Sequence, residues 1–140
     1  MPLPTVTTDN LAQLLEELVA RVREAEHAVA LSPDGLLLAA TSGVDEEIAE
    51  QLSTVAAGLR ALAVAAGEHS GSGAVRQIIV EMGSAFLFIA ATRGGAILAV
   101  LFAGDSEVAA IAYEVALFAG RLDLHLPPFP DPAPAAVTAG

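Results

Sequence analysis

Leu11, Leu14, Leu15, Leu18, Val19 and Val22 recur at helical spacing, while Glu16, Glu17, Arg21 and Glu24 fall largely elsewhere. The pattern predicts a first helix with one buried face, capped by Thr8 or Asp9. Two short apolar runs, 28–31 and 36–40, then flank Ser32-Pro33-Asp34-Gly35. Pro presets φ, Asp bonds its own backbone and Gly supplies a positive φ, so a hairpin is predicted. Asp45 opens a second helix, with Glu46 and Glu47 in its first turn, running to about Gly67. The segment 68–73, EHSGSG, reads as a loop and 75–82 as a strand, turned by Gly83-Ser84 into the next run. Asp105 is expected to cap a last helix that buries Val108, Ile111, Ala112, Val115, Phe118, Ala119 and Leu122. The predicted order is helix, two strands, helix, three strands, helix.

The run 85–103, AFLFIAATRGGAILAVLFA, is nearly long and apolar enough to cross a bilayer. Thr92-Arg93-Gly94-Gly95 cuts it into two pieces of strand length. Arg93 at mid-bilayer would cost about 2.5–3.5 kcal/mol, whereas Gly-Gly between β-rich runs is a hairpin signal. Two strands covered on both faces are expected, and no membrane insertion.

The second helix is the most informative segment. Ile48, Leu52, Val55, Leu59, Leu62 and Ala66 form an apolar stripe expected to lie on the sheet. A second series, Thr54, Gly58, Ala61 and Ala65, sits roughly 100° around. Gly58 costs about 1 kcal/mol relative to Ala in a helix, which close approach of another backbone would offset. The Thr54 hydroxyl can bond back to the preceding turn. A helix apolar nearly all round is buried on more than one side, and one sheet covers only one of them. With two helices on one sheet face, this third would stand half exposed, so self-association through it is predicted. In the strand 75–82, Gln77 and Glu81 share a side with Ile79, and Ile78, Val80 and Met82 share the other. Such mixed polarity suits an edge strand that pairs with its twin.

The 140 residues read as one domain, 9–126, with a flexible lead at 1–8 and a disordered Pro/Ala-rich tail at 127–140. There is no Cys and no Lys, which removes disulfides, thiolate metal sites, thiol and Schiff-base nucleophiles and the phosphate-loop lysine. A net charge of −11 argues against nucleic acid and anionic membranes. No signal peptide is evident at the N-terminus, and a cytoplasmic protein is expected.

Catalytic chemistry finds little to use. His27, His69 and His125 are dispersed without metal-ligand spacing. Glu46-Glu47 reads as a helix first turn, Asp34 as a turn residue, and HSGSG lacks the lysine of a phosphate loop. Arg21 and Arg23 look like a solvated helix face, and Arg121 a cation at a helix C-terminus. Arg60, Arg76 and Arg93 are the arginines that could reach a phosphoryl group on a partner, although structural or surface roles fit each better. No cofactor, metal or catalytic residue is expected.

The order of elements, the segment SPDGLLLAAT, VRQIIVEM leading into AFLFIAA, and GAILAVLFA before a helix containing AYEVALF resemble the Roadblock/dynein light chain family. The likeness spans about residues 8–125 and is nearest to small bacterial members, typically encoded beside a Ras-like GTPase and often a sensor kinase. It implies an α+β fold: a five-stranded antiparallel sheet with the first and third helices on one face and the second on the other. It also implies a homodimer joined through the second helix and third strand, acting as a non-enzymatic adaptor or regulator of a small Ras-like GTPase. The dimer seam is then expected at Ile48, Gln51, Leu52, Thr54, Val55, Gly58, Leu59, Ala61, Leu62, Ala65, Gln77, Ile79 and Glu81. Glu47, Glu50, Arg60, Arg76 and Arg93 are the expected GTPase contacts. The alternative is a small-molecule sensor resembling a PAS module, which would need a ligand-sized cavity.

Overall fold

The computed structural model describes residues 8–104, 107–126 and 129, with Thr8 and Asp9 as backbone only. Its elements are α1 (Thr8–Arg21), β1 (Ala25–Leu31), β2 (Leu37–Ala40), α2 (Glu46–Ser70), β3 (Ile78–Glu81), β4 (Ala85–Ala91), β5 (Ile97–Ala103) and α3 (Val108–His125). The strands form one antiparallel sheet in the order β2-β1-β5-β4-β3. The run 85–103 is thus a hairpin at the sheet centre, as the Gly-Gly break predicts.

Alternation along the strands sends side chains into two separate cores. Leu98, Val100 and Phe102 of β5 meet α1 and α3, where Leu11, Leu15, Leu18, Val115 and Leu122 close over them. Ile97 and Ala99 point the other way, joining Val29, Leu31, Leu87 and Ile89 under α2. The stripes predicted for α1 and α3 are the ones that meet the sheet; Val19, Val108 and Ala112 are half-buried at their edges. Arg121 ties the two helices together: its guanidinium donates to Glu17 Oε2 at 2.8 Å and lies 5.0 Å over the Phe118 ring.

Two of the three hairpins of the sheet, β1–β2 and β4–β5, share one turn design. The hydroxyls of Ser32 and Thr92 accept the amides of Leu36 and Ala96, at 2.9 and 3.1 Å. Gly35 (φ 93°) and Gly95 (φ 99°) occupy the left-handed position three residues on. A side chain with a Cβ is strained there, so each glycine is needed for its turn. Asp34 does not bond its own backbone as expected; its carboxylate accepts the Ser32 hydroxyl.

Other boundaries move. α2 runs on to Ser70, and Gly71 (φ 69°) then closes it. Gly71 N donates to Glu68 O and Ser72 N to Gly67 O, the paired bonds of a glycine-terminated helix. The predicted loop 68–73 is therefore partly helical. β3 starts at Ile78 rather than 75. Asp45 stands at the N-cap of α2 in extended conformation, but its carboxylate makes no capping bond. Glu107 occupies the N-cap of α3. The Thr8 and Asp9 side chains, Asp105, most of the lead and all of the tail except Phe129 lie outside the described residues.

Candidate functional site

α2 meets the sheet with small side chains. Ala49, Ser53 and Ala56 are its buried residues, and the Ser53 hydroxyl is satisfied by Ala49 O at 2.9 Å. This corrects the predicted stripe: Ile48, Val55 and Leu62 do not lie on the sheet but stand 56%, 50% and 71% exposed. Ala66 is exposed as well, and Leu52 and Leu59 are half-buried at the margin. The reason is geometric. Small side chains at positions 49, 53 and 56 let the helix axis settle close to strands already filled by Val, Leu and Ile. A face of Ile, Val and Leu would hold it off.

The outward face of α2 has its own order. Ile48, Val55 and Leu62 recur every seven residues, the repeat of a helix-to-helix seam. Gln51, Thr54, Gly58 and Ala61 are exposed on the same side, and Ala65 is half-exposed. The Thr54 hydroxyl donates to Glu50 O at 3.1 Å, as its position predicts. A Cβ at Gly58 would meet nothing within 4 Å, so no neighbour in the described chain accounts for that glycine. Gly67 differs: a Cβ there would come within 2.5 Å of Gly73 O, because the following loop folds back onto the helix.

Beyond Ala56, no residue of α2 is buried. α2 is also the one helix among the described residues long and apolar enough, by length and composition, to cross a membrane. Its acidic first turn and the three residues it packs on the sheet tie it to the folded domain. β3 is one edge of the sheet, paired only with β4. Ile78 and Val80 face α2, while Ile79 sits beside Phe88 on the opposite side and is 38% exposed. Gln77 and Glu81 are exposed. An apolar helix face therefore adjoins an open strand edge.

The five residues expected to meet a GTPase do not form one patch. Glu47 and Glu50 are exposed on the first half of α2. Arg60 follows Ala49, Ser53 and Ala56 on the sheet-facing line, where burial pushes its guanidinium pKa down from the ordinary value. It stays charged throughout the ordinary pH range, so its burial is a standing cost rather than a switch. Arg76 and Arg93 are brought together elsewhere, along a trough of about 220 Å³ between α3 and the β3–β4 end of the sheet. There Asp123 of α3 accepts the backbone amides of Arg93 and Gly94, at 2.9 and 3.1 Å, and holds the hairpin tip.

The sequence reading missed this trough and the exposed apolar row of Tyr113, Leu117 and Leu124 on α3. The signal was available: these residues follow a helical row that the single buried stripe of α3 does not include.

Among the described residues, no group of three or more His, Asp or Glu side chains is placed to hold a metal ion. His69 contacts Ala65 O at 2.7 Å through Nδ1, His125 is exposed at the end of α3, and His27 lies half-buried in β1.

The Roadblock/LC7 domain family model matches residues 11–102. The structure is similar to that of a Roadblock/LC7 domain from Streptomyces avermitilis, at 36% identity over 79% of this chain and 92% of that one, with a TM-score of 0.75. It shares its fold with the gliding protein MglB of Thermus thermophilus (17% identity, 88% and 93% covered, TM-score 0.74). It does so also with MglB of Myxococcus xanthus (13% identity, 87% and 91% covered, TM-score 0.73). No curated protein sequence matches significantly. With its sheet order, its helix placement and this match over most of the folded chain, the protein belongs to the Roadblock/LC7 domain family.

Proposed function

We propose that the chain is a homodimeric, non-enzymatic adaptor or regulator of a small Ras-like GTPase, working in the cytoplasm as a single domain over residues 9–126. The observation that carries this reading is the outward row Ile48, Val55 and Leu62 beside the open edge of β3. Across a two-fold axis the row supplies six half-exposed large side chains. Burying what remains of each contributes about 1–2 kcal/mol, on the order of 6–12 kcal/mol together. Association costs an estimated 4–15 kcal/mol in lost freedom, so this face alone is near the threshold. Pairing of the two β3 edges adds backbone hydrogen bonds and removes an exposed edge. Gly58 lies where the two helices would approach most closely.

The GTPase is then met on the α2 side of the joined sheet, with Glu47 and Glu50 offering carboxylates to basic groups and Arg60 close behind. Arg76 and Arg93 leave that surface, because they line the trough beside α3. Family resemblance supports the partner class. That trough and a second cavity of about 250 Å³ are both below the ~300 Å³ from which ligand pockets typically start. A small-molecule sensor therefore finds no support in them. The test is binding of the full chain to the small Ras-like GTPase encoded nearest its gene, loaded with GDP or a non-hydrolysable GTP analogue, followed by hydrolysis rates. Binding in at least one nucleotide state is expected; none in either state overturns the reading.

A further inference from the structure

The trough beside α3 is built from small residues. Ala112, Ala116, Ala119 and Gly120 of α3 face Phe88 and Ala90 of the sheet. Gly120 lies in the interior of an 18-residue helix, at a cost of about 1 kcal/mol relative to Ala. A Cβ added there would meet nothing within 4 Å, so the described chain supplies no close neighbour that requires a glycine. Tyr113, Leu117 and Leu124 stand 67%, 50% and 79% exposed along the next helical row outward. Gly120 is thus a notch between the trough and an apolar lip.

Charge distinguishes this place from the rest of the surface. The chain has 6 cationic side chains against 17 carboxylates, and two of the six, Arg76 and Arg93, border the trough. Neither guanidinium has an ion-pair partner among the described residues, whereas Arg121 is bound to Glu17. Asp123 is the one carboxylate on the wall, its two oxygens accepting the Arg93 and Gly94 amides, so the lining carries two cations against one anion. At physiological salt, charges more than about 8 Å away are largely screened. An incoming group at the trough therefore responds to this local excess of positive charge rather than to the net charge of −11.

We infer that this trough docks an acidic segment of a partner protein, its carboxylates on Arg76 and Arg93 and its apolar side chains over Gly120 and the Tyr113–Leu117 lip. The trough lies on the opposite side of the sheet from α2, away from the proposed GTPase contacts, and among its lining residues only Gln77 belongs to the expected dimer seam. Both partners could then be held at once.

The test is selection of a displayed random-peptide library on the full chain, with the Arg76→Glu/Arg93→Glu variant as counter-selection. Net-negative peptides carrying Leu, Ile, Val or Phe are the expected winners. Synthetic copies should bind the double variant about tenfold more weakly, the equivalent of ~1.4 kcal/mol. Gly120→Leu fills the notch without touching charge and should weaken binding comparably while its thermal midpoint holds or rises. No enriched peptide, winners that are neutral or basic, or equal binding to both variants overturns the inference.

Discussion

The two faces of the sheet are solved in opposite ways. Under α1 and α3, large side chains point inward and interlock: Leu11, Leu15, Leu18, Phe102, Val115 and Leu122 are all at most 2% exposed. Under α2, the helix gives Ala49, Ser53 and Ala56 to the sheet and keeps Ile48, Val55 and Leu62 for the outside. The first face is finished within one chain. The second has an apolar surface on each side of its helix, and only the nearer one is covered. A helix that turns its small residues inward is placed to serve two contacts at once. Apolar area alone therefore does not say which face of a helix belongs to the fold and which to a partner.

The sharpest way to break this contrast is to cut a large apolar side chain from each face. Phe102→Ala empties the closed core and should destabilise folding by about 3–5 kcal/mol. Leu62→Ala removes a side chain that the lone chain barely uses, and should change its stability by less than about 0.5 kcal/mol. Urea unfolding, read by circular dichroism at concentrations dilute enough for monomer, checks both. Comparable losses from the two substitutions would mean that Leu62 is covered within the chain.

A second experiment asks what covers the open face. Val55→Glu combined with Leu62→Glu places four carboxylates across the proposed two-fold seam. The dimer should weaken by at least about 100-fold, ~2.7 kcal/mol, with little change in helix content. Sedimentation equilibrium reads the outcome. Dimers of undiminished strength would place the seam elsewhere and leave the exposed row unexplained.

The same contrast separates what was legible in the sequence from what was not. α1 carries one apolar stripe, so its periodicity names the buried face without ambiguity. The central hairpin was legible because Thr92-Arg93-Gly94-Gly95 interrupts a run that would otherwise span a bilayer. α2 carries large apolar residues on one line and small ones on two others, and periodicity cannot decide which line meets the sheet. That choice depends on how much volume the strands have already filled, a property of Val29, Leu31, Leu87 and Ile89 rather than of the helix. The carboxylate of Asp123 on the Arg93–Gly94 amides joins residues 29 and 30 positions apart, beyond the reach of any local pattern. Hence the trough, with its two arginines, could not be assembled from the sequence.

The smallest predicted effect is the most discriminating, because its two parts have opposite signs. Gly58 sits inside α2 with open space where a Cβ would go. Leucine there should stabilise the lone chain by about 0.5–1 kcal/mol, since glycine is the poorer helix former. Between two helices in close contact, the same side chain would force the backbones apart, at a typical cost of 1–3 kcal/mol. Gly58→Leu should therefore raise the thermal midpoint of the monomer while weakening the dimer by about tenfold, ~1.4 kcal/mol. A folding defect in the monomer would show that the glycine serves the chain's own packing. A stabilised monomer with an intact dimer would show that no backbone approaches it across the seam. Only the split outcome assigns the glycine to a partner helix, which the large exposed residues beside it cannot do, because many apolar surfaces would cover those.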